Sequence, residues 1–99
     1  MCGAPDQAVA LPPGTDLTKE TVLTGRVVAG GTPVGGAYVR LLDGTGEFTA
    51  EVVSSEAGQF RFFAAPGTWT VRALSRAGTG QAEVKAEGPG IHRAEIAVA

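Results

Sequence analysis

The chain has 99 residues, 43% of them hydrophobic and 18% charged. That apolar fraction is too high for a disordered chain, the length supports one domain, and the longest apolar runs are a few residues, far short of a membrane span. Eight Lys and Arg stand against ten Asp and Glu, a formal net charge of -2, and they are scattered singly, so no basic stripe is present to neutralise phosphates and nucleic acid is not an expected partner.

Residues 1–20 are rich in Pro, Asp, Gln, Thr and Lys, and Pro5, Pro12 and Pro13 break any ladder or helix, so this stretch reads as an irregular N-terminal tail. Met1 is followed by Cys2, Gly3 and Ala4 with no basic region, apolar stretch or cleavage site, which makes the cytoplasm the expected compartment. Cys2 is the single cysteine, so no internal disulfide is possible.

Residues 21–99 read as one β domain, because seven short runs alternate apolar and polar residues between Gly and Pro punctuation. The first run, Val22 to Val28, closes at Gly30-Gly31, and the second, Ala37 to Leu42, closes at Asp43 to Gly46. In the third, Phe48, Ala50 and Val52 alternate with Glu47, Thr49 and Glu51, which predicts the ring inside and the carboxylates in water. The fourth sets Phe60 and Phe62 against Gln59 and Arg61, and the fifth sets Trp69, Val71 and Ala73 against Thr70 and Arg72. Phe48, Phe60, Phe62 and Trp69 are the expected core rings.

Ala82, Val84 and Ala86 oppose Glu83, Lys85 and Glu87 in the sixth run, and Ala94, Ile96 and Val98 oppose Arg93 and Glu95 in the last. His92 shares the inward parity of that last run, which suggests a ring packed at the rim with one nitrogen hydrogen-bonded. No helix-period stripe of useful length is present, so the fold class is all-β. The glycine clusters sit between strands, where turn geometry explains them without a phosphate-binding role.

The segments Gly25-Arg26-Val27, Gly31 to Val39, Ala57 to Phe62 and Pro66 to Val71 resemble the carboxypeptidase regulatory-like and transthyretin-like domains. That resemblance implies a seven-stranded Greek-key β-sandwich that packs beside other domains or self-associates. The opening Met1 to Pro5 and the stretch Trp69 to Ser75 are similar to a narrower family of small actinobacterial proteins of unknown function, typically encoded beside a thiosulfate sulfurtransferase of the rhodanese type. The narrower resemblance implies an association with sulfur transfer and a rhodanese-type sulfurtransferase as partner.

Within that setting Cys2 is the candidate reactive residue. Its thiol is the strong nucleophile of the chain, and it is suited to accept sulfane sulfur from a partner's cysteine persulfide. Removal of Met1 would place it beside a free α-amine, whose positive charge lowers a thiol pKa. Two other readings stand beside this one. Cys2 is a passive tail residue on a non-catalytic interaction module, or Cys2, its amine and His92 bind a soft metal such as zinc, copper or nickel. No cofactor is expected.

The scattered carboxylates Glu47, Glu51, Glu83, Glu87 and Glu95 read as solvated faces, with Glu47 and Glu51 near a cross-strand partner such as Arg61. Tyr38, Leu42, Val53, Phe63 and Leu74 are apolar on outward parity, a pattern that marks a surface covered by the tail, by a second copy or by a foreign partner.

Overall fold

Every long apolar run in residues 21–99 alternates, and an alternating strand has one face to bury, so two such faces must meet. The computed structural model describes residues 18–99, and they form eight strands: β1 (Thr21–Ala29), β2 (Thr32–Pro33), β3 (Tyr38–Leu42), β4 (Phe48–Val53), β5 (Gln59–Phe63), β6 (Gly67–Ser75), β7 (Gly78–Ala86) and β8 (Gly90–Ala97). The expected seven become eight because the Gly30-Gly31 turn reverses the chain tightly enough for Thr32 and Pro33 to pair back on Ala29 and Val28.

Two sheets result. In the first, β1 pairs antiparallel with β2 and β5 and parallel with β8, from Thr21 opposite Gly90 to Val28 opposite Ala97. The second runs β4-β3-β6-β7, antiparallel throughout. The core lies between them: Leu23, Val27, Phe60, Phe62, Ile96 and Val98 on one side meet Val39, Leu41, Val52, Val71, Ala73 and Val84 on the other. Phe60 and Phe62 stand at a tilt of 54°, with ring centroids 6.1 Å apart.

Gly25 leaves room for this packing. A Cβ there would stand 2.8 Å from the Phe60 ring and closer still to the Ala94 carbonyl, so the β1–β8 approach requires glycine.

One flank of the sandwich is closed by the end of the chain. Val98 donates its N–H to the Val28 carbonyl at 2.9 Å, and Ala99 exchanges two backbone bonds with Thr79 of β7, at 3.3 and 3.2 Å. The last residues therefore join the two sheets. On the other flank β4 and β5 are end strands of their respective sheets.

Two expectations are corrected. Phe48 is 62% exposed rather than in the core. The β3–β4 register runs regularly from Tyr38 opposite Val53 to Leu41 opposite Ala50, then Leu42 faces Phe48, leaving Thr49 as an extra residue. Such a bulge shifts the side-chain parity beyond it, and Phe48 turns outward. Trp69 is half-buried against the core, its indole N–H donating to the Ala65 carbonyl at 2.8 Å. The second correction concerns Arg61, which is no cross-strand partner of Glu51, because β4 and β5 belong to different sheets; Glu51 pairs with Arg40 at 2.6 Å.

Candidate functional site

Of the two residues singled out for chemistry, Cys2 lies outside the described residues. His92 stands on β8 opposite Leu23, half-buried, with Nε2 at 2.8 Å from the Gly88 carbonyl oxygen. A carbonyl only accepts, so Nε2 carries the proton and donates it. The Thr21 hydroxyl donates to the same oxygen at 3.2 Å, and the Gly90 N–H reaches the Glu20 carbonyl at 2.8 Å. His92 thus sits at the rim with one nitrogen bonded, fastening the β7–β8 turn to the start of β1. Among the described residues no three His, Cys, Asp or Glu side chains gather as metal ligands, and none forms a helix long and apolar enough to cross a membrane.

The other polar groups near the core are engaged in the fold. Ser54, buried, donates its hydroxyl to the Val34 carbonyl at 2.8 Å and accepts the Ala37 N–H at 2.9 Å, which stitches the β2–β3 connection to the end of β4. Asp43 accepts the Thr45 hydroxyl at 2.6 Å and the N–H groups of Thr45 and Glu47 at 2.8 and 3.0 Å. The Thr45 hydroxyl, followed by these amides, holds the Asp43 carboxyl below its ordinary pKa. Ser54 and Asp43 hold turns, and neither is aimed at a second reactive group.

What remains is surface. On the outer face of the second sheet, register aligns Val53, Tyr38 and Leu74 in one row, and Leu42 with Phe48 four residues along. Between them lies a polar row, where Arg40 bonds Glu51 at 2.6 Å and Arg72 reaches the Gln81 amide oxygen at 3.3 Å. Tyr38 is 54% exposed. Sequence parity found every member of these rows except Phe48, whose position needed the bulge.

The outer face of the first sheet has a different make-up. Val22, itself fully buried, lies between the exposed Phe63 and Ile91; two residues on, Thr24 lies between Arg61 and Arg93; then Arg26 lies between Gln59 and Glu95. Arg26 and Glu95 form a loose pair at 3.5 Å with both side chains more than half exposed. An open depression of about 520 Å³ runs over Thr24, Arg26, Gln59, Arg93 and Glu95. Sequence reasoning missed this grouping, since it did not place the first strand beside the last.

Open faces with engaged hydroxyls are suited to docking and surface binding more than to chemistry within the described residues. Known proteins add the following. The model of a family described as a protein of unknown function (DUF1416) matches residues 2–98. Two uncharacterised proteins of Mycobacterium tuberculosis, Rv0814c and Rv3118, are each 61% identical over 99 residues, covering 99% of both chains. An uncharacterised protein of Mycolicibacterium smegmatis is 67% identical over 90 residues, covering 90% of this chain and all of its own. These are actinobacterial relatives.

Among solved structures, a DUF3823 family protein from Parabacteroides merdae superposes with a TM-score of 0.64 at 15% identity, covering 82% of this chain and 46% of its own. The dioxygenase domain of a dioxygenase carbohydrate-binding protein fusion from Streptomyces sp. SirexAA-E superposes with a TM-score of 0.55 at 16% identity, covering 97% of both chains. At these identities the likeness is one of fold.

Proposed function

The chain belongs to the family of proteins of unknown function DUF1416, and from that membership and the geometry of its faces we propose a non-catalytic β-sandwich docking module that serves a rhodanese-type sulfurtransferase and takes sulfane sulfur onto Cys2. The observation that carries the docking part is the outer face of the second sheet, where Tyr38 and Phe48 are 54% and 62% exposed beside Leu42, Val53 and Leu74. Apolar rows flanking a hydrogen-bonded polar row are the make-up of a protein interface.

The sulfur-transfer part rests on the resemblance of the N-terminal sequence and on the chemistry of one thiol. A rhodanese-type enzyme carries sulfur as a cysteine persulfide. The Cys2 thiolate attacks the outer sulfur of that persulfide, the bond from that sulfur to the enzyme's cysteine breaks, and its electron pair leaves as the enzyme thiolate. Cys2 becomes the persulfide, with no oxidant or reductant required.

The test is intact-mass spectrometry of the full chain mixed with the sulfurtransferase and thiosulfate. We expect an added mass of about 32 Da, one sulfur atom, on wild type and none on Cys2→Ser. No adduct on wild type, or the same adduct on Cys2→Ser, overturns the carrier role. Docking is read separately by calorimetry: Phe48→Glu and Tyr38→Glu should weaken sulfurtransferase binding about tenfold or more, while Cys2→Ser binds as wild type. Unchanged binding in both glutamate variants removes this face from the proposal.

A further inference from the structure

We propose that the apolar row Phe63, Val22 and Ile91 on the outer face of the first sheet is the seat of this chain's own N-terminal segment, with Leu11 and Leu17 laid across Val22. Val22 occupies the middle of that row, between Phe63 of β5 and Ile91 of β8. It is 0% exposed and yet is not part of the core: alternation along β1 sends Leu23 and Val27 inward and Val22 to the opposite face. Phe63 and Ile91 beside it are 48% and 37% exposed, and Glu20 and Thr24, its neighbours along the strand on that face, are half-buried. These four side chains form walls around Val22 and all meet water themselves. Flanking alone does not seal a position here, since Thr24 stays partly exposed between the longer Arg61 and Arg93.

The seal on Val22 is made within a single chain, and the described chain begins at the same end of the sheet. Residues 18 and 19 form a turn just before β1, and the Glu20 carbonyl accepts the Gly90 N–H at 2.8 Å, which fixes where the preceding chain arrives. An extended chain covers roughly 3.3–3.6 Å per residue, so Leu17 and Leu11, which precede Val22 closely in sequence, both reach the row. Residues 1–17 carry Asp6 and Asp16 and no Lys or Arg, and the next row of the face carries Arg61 and Arg93. Arg61 is engaged in a contact, as is Thr18 where the segment joins the turn. A tethered segment competes at an effective concentration on the order of mM, far above that of a second copy in dilute solution. Pro12 and Pro13 restrict the free segment and so reduce the entropy lost when it docks.

The experiment is NMR spectroscopy of the full chain with its methyl and aromatic groups labelled. We expect NOEs from the Leu11 and Leu17 methyls to the Phe63 ring and to the methyls of Val22 and Ile91. In a mixture of labelled and unlabelled chains, an isotope-filtered spectrum should contain none of these contacts, because they form within one chain. The double variant Leu11→Ser/Leu17→Ser should lose them, and a soluble paramagnetic probe should then broaden the Val22 methyl signals that it leaves sharp in wild type. Unmoved Phe60 and Ile96 signals report that the sandwich of the variant is intact.

No such NOEs in wild type, or NOEs from the segment to Tyr38 and Leu74 on the other sheet, would overturn the seat. The same contacts in the filtered spectrum would assign the row to a second copy instead. Val22 signals that stay sharp in an intact double variant would show that the flanking side chains seal it unaided. The outcome depends on neither Cys2 nor a sulfurtransferase, so this inference and the proposed function fail separately.

Discussion

Asp43 illustrates how a charged side chain is engaged by its own turn. Its carboxylate satisfies the Thr45 hydroxyl and two amides in the β3–β4 connection, and the negative charge is what those donors favour. The folded-state pKa lies below the ordinary value of 3.8, with the Thr45 hydroxyl as the leading cause. A carboxyl with a depressed folded pKa contributes stability that is complete above its unfolded pKa and is lost as pH falls through the folded one. Thermal unfolding followed from about pH 5 to about pH 2 should therefore show a shallower decline for Asp43→Asn than for wild type; parallel curves would count against the turn. Alternation in sequence gave His92 its place at the rim, but its acceptor, the Gly88 carbonyl, became visible only when the β7–β8 turn folded back to Thr21.

At the scale of elements the β4 bulge decides most. Strict alternation puts Phe48 on the same face as Ala50 and Val52, and one extra residue, Thr49, reverses it. A burial pattern cannot disclose a bulge when the residue it displaces is apolar, because a phenylalanine fits either face in a sequence reading. Phe60, in contrast, is 1% exposed on unbroken β5 and packs over Gly25. Urea unfolding should separate the two: Phe60→Ala is expected to cost about 3–5 kcal/mol, with a cavity left in the core, whereas Phe48→Thr should stay within about 0.5 kcal/mol of wild type. A loss for Phe48→Thr comparable to that for Phe60→Ala would place the ring inside and remove the bulge.

For the whole molecule, closure depends on the last residues. Val98 is 4% exposed and bonds β1, while Ala99 pairs with Thr79 of β7. Deleting Ala97, Val98 and Ala99 removes one buried aliphatic side chain and the backbone bonds that join the sheets, with an expected loss of about 2–4 kcal/mol in urea unfolding. An unchanged midpoint would show that the sheets hold without this seam. The alternation of Val22 to Val28, Phe60 with Phe62, and Ala94 to Val98 was sufficient by itself to establish an all-β chain and most of its core, since period-2 burial is a local property of each strand. Which strands become neighbours is not local. The parallel pairing of β1 with β8, the separation of Glu51 from Arg61, and the gathering of Arg26, Arg61 and Arg93 on one face were decided by tertiary structure, because register between distant segments depends on how the two apolar faces close on each other.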